Sequence, residues 1–107
     1  MAREDLEPAL ARVADRLAAA GAALVRSAGA LPGLDPGPAV LGADAVGRLG
    51  ELGRDLHHAV VAALTDRARE AARHADRLAA TADLVTGAAR GYAAVEESAA
   101  ARHREGP

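Results

Sequence analysis

Cysteine, tryptophan, phenylalanine, lysine, isoleucine, asparagine and glutamine are absent from this 107-residue chain, and Tyr92 is its only aromatic residue. Each absence removes a class of function. Without Cys there is no disulfide framework and no thiolate metal site. One Tyr cannot supply the series of rings on which single-stranded nucleic acid stacks. All 13 basic side chains are Arg, and the formal net charge of −2 argues against binding driven by phosphate contacts. No uninterrupted stretch of eighteen uncharged apolar residues occurs, so no membrane span is expected.

What is present is mostly alanine and leucine. The large apolar side chains are thirteen Leu, eight Val, Met1 and Tyr92. That is a thin supply for a single domain, which residues 1–107 are expected to form. Alanine adds helix propensity without losing side-chain rotamers, but it contributes little apolar area. The composition therefore predicts a helical chain that completes its core with a partner. The opening Met1-Ala2-Arg3-Glu4-Asp5-Leu6-Glu7-Pro8 is acidic on balance, and Arg12, Asp15 and Arg16 interrupt the apolar run after it. No secretory signal peptide is expected there.

Periodicity organises the rest. Leu6, Leu10, Val13, Leu17, Ala20 and Leu24 recur in steps of four and three, which predicts a helix over about residues 4–28. Residues 29–43 contain three Pro and four Gly and read as a loop, with Asp44 as an N-cap for the next helical segment. Gly47, Gly50 and Gly53 leave two readings of residues 44–54: a flexible lead-in turn or short extra helix, or a glycine face that another backbone approaches closely. From about Arg54 to His103 a second, longer helix is expected. Leu56, Val60 and Leu64 begin its apolar face, and Ala68, Ala71, Ala75, Leu78, Ala82, Val85, Ala89 and Tyr92 continue it. The fold class is thus all-α, an antiparallel helical hairpin with a long second helix. Its core is expected from Leu6, Leu10, Val13, Leu17, Leu24, Leu56, Val60 and Leu64. Residues 102–107 read as a frayed tail.

Helix lengths then suggest an interface. A rise of about 1.5 Å per residue makes the second helix about twice as long as the first. The short helix would cover only the near half of the long one. Leu78, Ala82, Val85, Ala89 and Tyr92 would be left for a second chain.

Signs of catalysis are weak. His57, His58, His74 and His103 form no metal-ligand pattern; Glu70 and His74 share a face, but two ligands do not make a site. Ser27 and Ser98 lie in no nucleophile elbow, and the glycines form no phosphate loop. No enzyme activity, metal or cofactor is expected. One constellation remains: Tyr92 and Glu96, four residues apart on one helix face.

With these features the chain resembles the WXG-type, early-secreted-antigen-like superfamily of type VII (ESX) secretion in actinobacteria. It is most similar to the EspC-like branch of ESX secretion-associated proteins. The resemblance is carried by an Ala-rich first helix, a Gly/Pro-rich loop, and Leu41-Gly42-Ala43-Asp44-Ala45-Val46-Gly47. It is completed by Tyr92-Ala93-Ala94-Val95-Glu96, followed by Glu97-Ser98-Ala99-Ala100-Ala101. The chain lacks Trp-x-Gly at the turn, as that branch commonly does. The PE branch shares the Tyr-Ala-Ala-x-Glu ending but carries Pro-Glu where this chain has Glu7-Pro8. The resemblance implies a non-enzymatic protein, cytoplasmic at first and then exported folded as a helical-hairpin dimer. It would be secreted or held at the cell surface without a cleavable signal peptide, with Tyr92 and Glu96 as export signal. Implied partners are another helical-hairpin protein (the same or a different chain), the secretion machinery and a larger effector or toxin. The competing expectation is a cytoplasmic helical adaptor or self-associating bundle in which Tyr92 only packs.

Overall fold

The computed structural model describes residues 3–106 and is an all-α helical hairpin. Helix α1 spans Arg3–Ala30 and helix α2 spans Gly47–Arg104. The connector between them contains two short 3-10 turns, Leu31–Leu34 and Ala39–Leu41. Contacts divide the chain into two compact units. The connector unit is Ala22–Ala75; the terminal unit joins the residues up to Gly21 with those from Asp76 onward.

In the connector unit, the connector lies along the first turns of α2 and runs antiparallel to it. The glycines of α2 make this possible. A Cβ on Gly53 would stand 2.6 Å from the Leu41 carbonyl oxygen, the Gly42 carbonyl carbon and the Ala43 nitrogen. A Cβ on Gly50 would run into the Ala45 carbonyl. The close backbone approach is therefore the reading that describes this segment, and α2 begins at Gly47 with no separate helix before it. Gly42 supplies the left-handed backbone (φ 83°) that ends the second 3-10 turn and returns the chain to α2. Asp44 is not the N-cap expected of it. It sits in a turn closed by the Ala45 N–H donating to the Gly42 carbonyl at 3.1 Å. Further along, Pro32 and Asp35 border a small recess with Val61, Leu64 and Thr65 of α2.

In the terminal unit, the seam between the helices is built from the smallest side chains. Ala14 and Gly21 of α1 and Ala82 and Ala89 of α2 are buried. Each pair is seven residues apart, the spacing of a coiled-coil seam. Small residues at these positions let helix axes approach to the close end of the usual 8–10 Å range. Leu6, Leu10, Leu17, Leu78 and Val85 flank the seam and are half-buried.

Several sequence expectations change. Of the anticipated core, Leu6, Leu10, Leu17, Leu24, Val60 and Leu64 are half-buried, but Val13 is 45% and Leu56 51% exposed. Ala14 takes the place expected of Val13, because a seam with closely spaced backbones admits a methyl group and turns the isopropyl group outward. Among the described residues the buried apolar side chains are all alanine: Ala14, Ala43, Ala75, Ala82 and Ala89. The C-terminal tail is not frayed at residue 102, since α2 continues to Arg104 and the Glu105 N–H still donates to the Ala101 carbonyl at 3.0 Å. Pro107 lies outside the described residues.

Candidate functional site

The expected two-residue constellation lies in the terminal unit, on an unbroken stretch of α2. Tyr92 is 45% exposed, and Glu96 is half-buried one turn further on. Together with Val95 and Ala99 they border a shallow groove. An adjoining groove is formed by Ala88, Gly91, Tyr92 and Val95. Gly91 leaves open space beside the ring, since nothing lies within 4 Å of the position its Cβ would occupy. The arrangement presents an aromatic face, a carboxylate and an aliphatic side chain on one rigid element.

The expected partner interface is only partly available. Ala82 and Ala89 are 5% and 6% exposed and belong to the chain's own seam. Leu78 and Val85 are half-buried beside them, and of the five only Tyr92 is open. The reason is register. The connector occupies the first turns of α2, so in the terminal unit α1 pairs with residues well beyond position 80. There Ala11 and Ala14 share a recess with Thr86 and Ala89, edged by Glu7, Asp15 and Arg90.

A different apolar row is exposed instead. Leu84, Ala88, Gly91 and Val95 succeed one another in steps of four, three and four along α2, with Leu84 75% exposed. The row is inconspicuous in the sequence because two of its members are Ala and Gly, although its spacing is as regular as that of the seam. In the connector unit, Leu49, Leu52 and Leu56 make a second exposed row, with Val46 just before it. The segment Asp5–Leu34 is also apolar and long enough to cross a membrane by length and composition, a test that signal sequences and core helices pass equally.

The other polar cluster is in the connector unit. Asp35 Oδ1 accepts the Gly37 N–H at 2.9 Å, and His57 Nε2 stands 2.9 and 3.2 Å from the two carboxylate oxygens. The Gly37 N–H is the main influence holding the Asp35 carboxyl below its ordinary value of 3.8; desolvation opposes it, and the His57 imidazole adds smaller lowering contributions. One turn earlier on α2, Arg54 donates to the Ala43 carbonyl at 3.0 Å. Glu70 pairs with Arg67 and approaches His74 at 3.9 Å on the exposed side of α2. Among the described residues no three His, Cys, Asp or Glu side chains converge as metal ligands would.

No protein-family model, curated protein or solved structure matches the chain.

Proposed function

We propose that this chain is a non-enzymatic type VII (ESX) secretion substrate or co-targeting partner, exported as a helical-hairpin dimer through a signal formed by Tyr92 and Glu96. The observation that carries the reading is the open groove bordered by Tyr92, Val95, Glu96 and Ala99 on uninterrupted helix. A packing-only tyrosine has no need of an exposed ring beside a residue without a side chain. A recognition code needs both, together with a scaffold rigid enough to hold an aromatic and an acid at a fixed separation.

Surface area supports the second half of the proposal. The chain exposes 7691 Å², against roughly 5,500 Å² for a compact monomer of its mass. The excess, on the order of 2,000 Å², is within what one subunit buries in an obligate interface. With Ala82 and Ala89 already enclosed, the partner is assigned to the outer row Leu84, Ala88, Gly91 and Val95, next to Tyr92. In this reading the protein is cytoplasmic until export and then secreted or surface-held, needing neither metal nor cofactor.

The test is secretion from an actinobacterial host with a working type VII system. Tyr92→Ala and Glu96→Ala should each keep the protein in the cells while circular dichroism remains helical. Secretion of both variants at the wild-type level would overturn the signal assignment. If the wild type itself stays in the cytoplasm and self-associates there, the adaptor reading replaces this one.

A further inference from the structure

In the connector unit the first turns of α2 have one occupied side and one open side. The connector backbone rests on Gly50 and Gly53, Arg54 donates to the Ala43 carbonyl, and His57 meets Asp35. The opposite side carries Leu49, Leu52 and Leu56 in steps of three and four, 67%, 49% and 51% exposed. Three exposed leucines in one row are costly to leave in water. Along one flank of the row stand Arg48 and Asp55, both exposed, of opposite sign and seven residues apart. Asp55 has no ion-pair partner among the described residues. Arg48 Nη1 donates to Glu51 Oε2 at 3.2 Å, and the other N–H groups of its guanidinium remain for a second acceptor.

We propose that this row is the contact through which two copies of the chain associate, antiparallel across a two-fold axis at Leu52. The charges select both the occupant and the direction. In an antiparallel two-fold pair, the same flank of both helices lies on the same side of the interface. Arg48 of each copy then stands beside Asp55 of the other, so the ion pair forms twice. Leu52 is midway between Arg48 and Asp55 and also midway between Leu49 and Leu56. One axis therefore serves the charges and the leucines together: Leu52 meets its own copy, and Leu49 meets Leu56. A parallel pair would set the charged flank against the flank of Gly53 and Val60, which has no charge to answer it.

Surface area leaves room for this contact. The excess over a compact monomer, on the order of 2,000 Å², is more than twice the roughly 800 Å² that one standard interface takes from each subunit. The leucine row is distinct from the outer row of the terminal unit, and the inference does not depend on the export reading. The leucines supply the affinity; the exposed ion pairs set register more than strength.

Sedimentation equilibrium on the full chain tests this. The wild type should dimerise with a dissociation constant on the order of 10 μM, as suits a small interface. Leu52→Asp, which sets two acids face to face at the axis, should weaken association about a hundredfold while circular dichroism stays helical. Arg48→Glu and Asp55→Arg should each weaken it about tenfold, and the double variant should restore it. Because the chain has no cysteine of its own, Leu52→Cys should form a disulfide-linked dimer under mild oxidation, whereas Ala72→Cys should not. A wild type still monomeric at about 200 μM would overturn the proposal and give the row to a different protein or to a lipid surface. A dimer that survives Leu52→Asp would also overturn it, by placing self-association elsewhere on the chain, without touching the export signal. Failure of the double charge variant to restore association would refute the antiparallel register.

Discussion

The two units of this hairpin solve the same problem by different means. Each must bring backbones close with almost no large side chains to fill the space between them. The terminal unit does so with alanines at seven-residue spacing, Ala82 and Ala89 across from Ala14 and Gly21. The connector unit does so with glycines, laying non-helical backbone directly on Gly50 and Gly53. A methyl group is the right size for helix against helix and is too large for connector against helix. Substituting Gly by Ala should therefore be costly where the connector backbone lies on α2 and favourable where α2 is open to solvent.

The largest effect is expected at Gly53. Its Cβ would meet three connector backbone atoms at 2.6 Å, none of them the end of a flexible side chain. Gly53→Ala should lower stability by about 3 kcal/mol, as overpacking against fixed backbone does. Chemical denaturation would measure this, and a loss below about 0.5 kcal/mol would mean that the connector is not seated there. Next comes the terminal seam. Ala82→Leu inserts three carbons into an enclosed position and should destabilise by about 2 kcal/mol. Leu84→Ala, two residues away on the exposed side, should change stability by less than about 0.5 kcal/mol. Gly87→Ala reverses the sign. Nothing lies within 4 Å of its would-be Cβ, and an alanine inside α2 should raise stability by about 0.5–1 kcal/mol.

The contrast between the units also marks what could be read in the sequence. The existence of both helices came from periodicity, and so did the face on which Leu10, Leu17, Leu24 and Leu64 lie. The choice between neighbouring residues at the seam did not. A pattern weighted by hydrophobicity selects Val13, whereas closely spaced backbones select Ala14. The path of the connector was harder still. Its Pro and Gly content signals only that it is not helical, and the one clue to its route was the three-residue spacing of Gly50 and Gly53. Because that route consumes the first turns of α2, the register of α1 against α2 could not be derived from helix lengths. Ala82 and Ala89 were consequently expected to face a partner when they face α1. Tyr92 and Glu96 were legible because a four-residue spacing on a long helix needs no tertiary information. The Asp35–His57 pair was not, since its members are 22 positions apart and meet only through the connector's path.

That pair gives the smallest effect and a way to tell the units apart by titration. The Asp35 carboxyl is held below 3.8, chiefly by the Gly37 N–H. A carboxylate whose folded value is depressed contributes stability that is present above its unfolded value and is lost as pH falls through the folded one. Between pH 5 and pH 2 the connector should therefore loosen. Asp35→Asn keeps an acceptor for Gly37 but has no charge to lose, so it should show less of this acid-induced loosening. Exchange rates of the connector amides, compared with those of residues 82–89 in the same sample, would isolate the effect. The seam in the terminal unit contains no ionisable group among its buried residues and should hold steady over that interval. Parallel loosening of both segments in the wild type and in Asp35→Asn would show that acid acts on the hairpin as a whole, and that the connector has no titration of its own.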